Sequence, residues 1–103
     1  MTEKDIRNNI VTYLNFQGYW VWPVNTGAMK VDNRFVRFNA VGTSDIIGMR
    51  KSDGKFVCIE IKTPKRKNNV SIQQQSFIDM VNMNRGIGFV ACSIDEVKER
   101  LGI

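Results

Sequence analysis

Hydrophobic positions along the chain switch between helical and strand spacing, which predicts a mixed α/β fold. Residues 2–18 predict a first helix, because their apolar side chains recur every three or four positions. Those side chains are Ile6, Ile10, Tyr13 and Leu14. Thr2 can cap this helix together with Asp5, and Gly18 follows its end.

Short runs of β-branched, aromatic and alternating apolar residues predict the strands. They cover residues 19–24, 29–31, 34–38, 45–50, 55–62 and 87–92. The second and third runs predict a hairpin that turns at Asp32 and Asn33, and the fourth and fifth predict another. Val57, Cys58 and Ile59 make one run apolar on both faces, so this strand should be central and covered on both sides.

Two further helices complete the pattern. Ser71 can cap a helix to about Met83, and Ser93 or Asp95 can cap a short final helix. The apolar stripe expected on the longer helix is Ile72, Phe77, Met80 and Val81. A strand, a helix and a strand in succession predict a parallel pair. The predicted fold class is α/β, a mixed central sheet flanked by helices in the order α-β-hairpin-β-β-α-β-α, and 103 residues predict one domain over 1–103.

Trp20 and Trp22 share one face of the first strand. Large aromatic side chains on a strand usually pack in a core, so we expect core packing for both and not base stacking.

Charge adds a candidate partner. Residues 27–67 hold 10 Lys/Arg against 4 Asp/Glu, whereas the rest of the chain holds 5 against 6. A basic excess in one stretch is typical of a surface that meets phosphates, although a solvated basic loop and hairpin would look the same. The candidate phosphate contacts are Lys30, Arg34, Arg37, Lys65, Arg66 and Lys67.

Composition excludes several other classes of function. The chain has no histidine, which removes Ser-His-Asp and Cys-His catalysis. Its apolar runs are too short for a membrane span, and its charged N-terminus does not resemble a signal peptide, so a cytoplasmic location is expected. Cys58 and Cys92 lie in apolar runs and are expected to be reduced core residues.

Candidate chemistry lies where two predicted strands meet. Glu60 and Lys62 share one face at the end of a strand, and Asp45 opens the strand that precedes it. In an antiparallel pair these positions lie at the same edge of the sheet. Asp45, Glu60 and the carbonyl of Ile61 can then share a Mg²⁺ ion, with Lys62 placed to serve the attacking water. The alternative is a surface ion pair at a strand end and an aspartate that only caps a turn.

These residues resemble a known pattern. Asp45 followed by Glu60-Ile61-Lys62 is similar to the core of the PD-(D/E)xK restriction-endonuclease-like superfamily. Thr2-Glu3, Asn25-Thr26-Gly27, residues 42–48 and residues 71–77 resemble, in order, segments of the VRR-NUC (virus-type replication-repair nuclease) domain. Ser44 stands where the superfamily often has proline, but it supplies no expected metal ligand.

The resemblance implies a restriction-endonuclease-like core and a Mg²⁺-dependent deoxyribonuclease in which Mn²⁺ can substitute. It adds Glu3 as an acid near the metal and Gln74 as a supporting amide, giving the expected catalytic residues Glu3, Asp45, Glu60, Lys62 and Gln74 and the expected metal ligands Glu3, Asp45, Glu60 and Ile61. It further implies DNA as the substrate, with no small-molecule substrate, and a homodimer that resolves Holliday junctions in phage or bacterial replication and repair. The alternatives are a flap-type or nicking nuclease, a catalytically inert DNA-binding module, and a structural or regulatory subunit of a replication complex.

Overall fold

The computed structural model describes residues 1–24, 28–31, 34–37 and 41–103, with only the backbone for 28–31 and 34–37. The helices are α1 (Glu3–Phe16), α2 (Ile72–Met83) and α3 (Ile94–Leu101), and the strands are β1 (Tyr19–Pro23), β2 (Ala28–Val31), β3 (Arg34–Arg37), β4 (Ile46–Arg50), β5 (Phe56–Ile61) and β6 (Ile87–Ala91). A short 3₁₀ turn, Pro64–Arg66, follows β5. The predicted order of elements is therefore confirmed, and the predicted bounds agree with the observed ones to within one or two residues.

Four strands form a mixed sheet in the order β1-β4-β5-β6, while β2 and β3 pair as a separate antiparallel ribbon. β1 and β4 are antiparallel, as are β4 and β5, whereas β5 and β6 are parallel. Both predicted hairpin pairings and the parallel pair are thus confirmed. The predicted turn at Asp32 and Asn33 lies outside the described residues.

The main core lies between one face of the sheet and helices α1 and α3. Ile10 and Leu14 of α1 pack there against Val57, Ile59 and other buried strand residues. The opposite face of the sheet carries α2, whose main contacts are with β5 and β6. Because β5 has a strand on each side and helices on both faces, it is buried along nearly its whole length, as its sequence predicts.

Each outer strand of the sheet is capped by an asparagine from the nearest helix. The Asn15 side chain in α1 accepts a hydrogen bond from the Val21 N–H at 3.1 Å and donates one to the Val21 carbonyl at 3.0 Å. Asn82 in α2 makes the same pair of bonds with Gly88, both at 2.8–2.9 Å. These amides replace a neighbouring strand at positions where the sheet would otherwise leave backbone groups unpaired.

Two expectations about side-chain packing are wrong. Trp20 and Trp22 are exposed, and it is Tyr19 and Val21 on the other face of β1 that enter the core. The stripe expected on α2 is wrong for Ile72 and Met80, which are exposed, whereas Phe77 and Val81 are half-buried; Ile78 is the buried residue, because the helix turns the face containing Gln74 and Ile78 toward the sheet.

None of the helices in the described part of the chain is long and apolar enough to cross a membrane. Cys58 and Cys92 are buried free thiols, as expected.

Candidate functional site

The register of the central hairpin brings the two expected acids together. Ile46 of β4 pairs with Ile59 of β5, so Asp45 lies opposite Glu60 at the next position. Both side chains project from the face of the sheet that carries α2. The prediction that Asp45 and Glu60 lie at the same edge of the sheet is therefore confirmed.

Asp45 is held from both sides by backbone groups. Its carbonyl accepts a hydrogen bond from the Val24 N–H at 2.8 Å, which ties it to the end of β1. Its carboxylate oxygen Oδ2 accepts a hydrogen bond from the Ile61 N–H, also at 2.8 Å. Because the N–H and C=O of one strand residue point to the same side, the Ile61 carbonyl faces the side of β5 on which Asp45 lies.

Glu60 is a buried carboxyl with little compensation. It is 2% exposed, and its Oε1 atom receives no hydrogen bond from a donor group among the described residues. Burial, followed by the proximity of the Asp45 carboxylate, raises the pKa of Glu60 to about 9.

Lys62 is the cation beside this carboxyl. Its side chain is largely buried, and its Nζ lies 4.0 Å from Glu60 Oε2. The amine acts to lower the pKa of Glu60, but burial and Asp45 outweigh it. An amine at this distance attracts the carboxylate without satisfying it.

Gln74 links the site to the start of α2. Its Oε1 accepts a hydrogen bond from the Ser71 N–H at 2.9 Å, while Ser71 Oγ accepts one from the Gln74 N–H at 3.1 Å. This reciprocal cap occupies the amide oxygen and turns the NH₂ group toward Glu60, whose Oε2 it reaches at 3.3 Å. Gln74 therefore points into the site as predicted. Ser71 holds it there, a role that we did not assign from sequence although the Ser-x-x-Gln spacing signals it.

Gly42 packs the loop before Asp45 directly onto α2. Its φ is +86°, and a Cβ atom at this position would lie 2.3 Å from the backbone oxygen of Gln73. Only glycine fits both the conformation and the contact. The loop that carries Asp45 therefore packs in direct contact with the helical turn that carries Gln74.

Glu3 lies in the first turn of α1, half-buried, and its charge is among the causes that raise the pKa of Glu60. It is close enough to act on the site electrostatically. Across the described ranges, however, no three His, Cys, Asp or Glu side chains form a group that could hold a metal ion by themselves. A metal bound here would need backbone oxygen or water in addition to carboxylates.

The basic candidates fall into two groups. Lys65, Arg66 and Lys67 are exposed in and just after the 3₁₀ turn that follows the site strand, and Lys67 also pairs with Glu96 at 3.7 Å. Lys30, Arg34 and Arg37 belong to β2 and β3, and their side chains lie outside the described part of the chain.

Comparison with known protein families gives a match. The sequence model of the VRR-NUC domain family matches residues 1–95. A search of curated proteins found no match. The matched range includes all five residues expected to be catalytic.

Proposed function

The chain belongs to the VRR-NUC domain family, which implies a nuclease that acts on DNA, and we propose that it hydrolyses DNA phosphodiester bonds with a divalent metal ion. Mg²⁺ is the proposed ion, and Mn²⁺ is proposed to substitute. The proposed metal ligands are Asp45, Glu60 and the carbonyl oxygen of Ile61, together with Glu3 from α1.

The observation that carries this proposal is the state of Glu60. A carboxyl that is 2% exposed, beside a second carboxylate and with one oxygen lacking a donor, is costly in a fold unless something positive binds it. Lys62 at 4.0 Å does not supply enough attraction to restore its ordinary pKa. A hard cation with oxygen ligands fits this donor set.

The metal and the side chains would divide the chemistry between them. A divalent ion in such a site polarises a phosphodiester and lowers the pKa of a bound water. Lys62 is proposed to orient the attacking water through its amine and to stabilise negative charge that develops on the phosphate. Gln74 is proposed to fix the orientation of the Glu60 carboxylate through its amide NH₂.

The wider architecture is compatible with the same reading. A mixed sheet with a buried central strand that ends in the site supports our proposal of a restriction-endonuclease-like core. The proposed phosphate contacts are Lys30, Arg34, Arg37, Lys65, Arg66 and Lys67. We propose a homodimer that cuts branched DNA such as a four-way junction, since a two-fold dimer presents two sites to a symmetric substrate. Phage or bacterial replication and repair remains the proposed setting.

The test is cleavage of a labelled DNA panel that contains duplex, 5′ flap, single strand and four-way junction. Wild-type protein should cut at least one substrate with Mg²⁺ or Mn²⁺ and none with EDTA. Lys62→Ala should bind the same substrate but not cut it. Lys98→Ala, on α3 away from the site, is the control and should cut like wild type.

If wild type binds DNA but cuts nothing with either metal, the catalytic proposal fails and an inert DNA-binding module explains the fold. If Lys62→Ala cuts at the wild-type rate, the assignment of Lys62 is wrong even though the nuclease stands.

A further inference from the structure

The face of β1 that turns away from the core carries an exposed aromatic surface. Trp20 is 56% exposed and Trp22 is 42% exposed. Their ring centroids are 5.3 Å apart, with the ring planes at 59°. The two rings therefore pack against each other, and part of each ring remains exposed and accessible to a ligand.

This surface is continuous with the candidate site. Trp22 pairs with Ile47 and Trp20 pairs with Met49 across the sheet. Asp45 immediately precedes β4 and, by strand alternation, lies on the same face as Ile47, two residues away, a spacing of about 7 Å along an extended chain. A polynucleotide bound at Asp45 would therefore reach Trp22 with its neighbouring nucleotides.

The helices in the described part of the chain leave this face uncovered. α2 packs mainly on β5 and β6 on this side of the sheet, whereas α1 packs on the opposite side of β1. The turn between β4 and β5, at the end of this face away from Asp45, carries the exposed cations Lys51 and Lys55, while its Asp53 is paired with Arg50 at 2.6 Å. Exposed aromatic rings with cations nearby are typical of surfaces that bind single-stranded nucleic acid.

The size of the surface argues against a second protein chain as its occupant. Phe56, which pairs with Met49 on the same face, is also 42% exposed, so with full side-chain areas of roughly 250 Å² for each tryptophan and roughly 200 Å² for Phe56 the exposed parts offer roughly 330 Å² together. A stable protein interface needs about 800 Å² from each partner. One or two bases match the smaller area.

We propose that Trp20 and Trp22 form a stacking surface for unpaired bases, so that the preferred substrate has a single-stranded segment beside the cleavage position. This inference rests on the proposed function, because it takes DNA as the substrate. It narrows the branched DNA proposed above to branches with a flap or other single-stranded segment, so a fully paired four-way junction should be a poorer substrate.

The chain provides its own probe, since Trp20 and Trp22 are its two tryptophans. Wild-type protein in EDTA should show saturable quenching of tryptophan fluorescence when single-stranded oligothymidylate is added. By anisotropy of a labelled oligonucleotide, Trp20→Leu and Trp22→Leu should each weaken single-strand binding about tenfold, whereas Trp22→Phe should weaken it less. Phe16→Leu is the matched control, because Phe16 is 85% exposed on α1 and should not affect binding.

The possible results distinguish failure of the stacking proposal from failure of the nuclease proposal. Quenching and variant effects without any DNA cleavage would uphold the stacking surface and overturn the proposed function. Cleavage of DNA by wild type, with no quenching and with unchanged single-strand binding by both leucine variants, would overturn the stacking surface alone. A change in tryptophan fluorescence that depends on protein concentration without DNA would assign this face to a second copy and overturn the proposal.

Discussion

Replacing Glu60 by glutamine should stabilise the metal-free protein at neutral and alkaline pH. Glu60 has its pKa raised from 4.5 to about 9, because it is buried beside Asp45. A group whose pKa is higher in the folded than in the unfolded state contributes stability that is complete below pH 4.5 and is lost as the pH rises toward 9. The amide introduced by Glu60→Gln would keep the shape of the side chain and its contact with Gln74 but would not ionise.

The expected size follows from the pKa values. The three pH units from pH 5 to pH 8 lie wholly between the ordinary pKa of 4.5 and the raised pKa of about 9. Each of these units changes the unfolding free energy by about 1.4 kcal/mol. If no group near Glu60 moved, wild-type protein would therefore lose about 4 kcal/mol of unfolding free energy between pH 5 and pH 8. Movement of Lys62 toward the ionised carboxylate would reduce the loss, so we expect about 2 to 4 kcal/mol.

Few other groups obscure this effect, since the chain has no histidine to titrate between pH 5 and pH 8. The assay is urea unfolding in EDTA followed by far-UV circular dichroism at several pH values. Wild type should lose stability as the pH rises, whereas Glu60→Gln should change much less. Glu99→Gln, at an exposed position, should follow wild type. Parallel pH profiles for wild type and Glu60→Gln would refute the description of Glu60 as a desolvated, protonated group.

Three further substitutions test the supports of the site and sheet. Gly42→Ala should lower the unfolding free energy by about 1–3 kcal/mol and slow cleavage. Gly54→Ala, where φ is similar at +74° but the surroundings are open, should lower the unfolding free energy less and cleave normally. Equal effects of the two substitutions would show that the contact with α2 is unimportant. Gln74→Ala should lower the single-turnover cleavage rate about 10- to 100-fold with little change in DNA binding, whereas Gln75→Ala should not, and an unchanged rate for Gln74→Ala would remove its positioning role. Asn82→Ala should lower the urea-unfolding free energy by about 1–3 kcal/mol because two backbone groups of β6 lose their partner, and a change below about 0.5 kcal/mol would mean that water replaces the amide.

The central site could be predicted because it depends on local geometry. The turn between β4 and β5 is short, so the register that places Asp45 opposite Glu60 follows from hydrophobic alternation in two adjacent segments. The orientation of Gln74 could be predicted because Ser71 fixes where α2 begins, and helical periodicity then determines which face of α2 carries Gln74.

The errors concern packing between distant elements. Alternation places Trp20 and Trp22 on one face of β1 and Tyr19 and Val21 on the other, but both faces are apolar. Which face is covered depends on where α1 and α2 lie, and that is decided by the whole chain. The contact between Gly42 and the backbone of Gln73 is likewise a tertiary approach that leaves no periodic signal in the sequence.

The most direct test of the metal-dependent site is the single-turnover rate of DNA cleavage by Asp45→Asn at saturating Mg²⁺. This change keeps the side-chain shape and removes the charge that would hold the metal. We expect the rate to fall at least about 100-fold while DNA binding and the circular dichroism spectrum stay unchanged, and Asp95→Asn, exposed on α3, to match wild type. Cleavage by Asp45→Asn at the wild-type rate would show that the metal and the chemistry lie elsewhere.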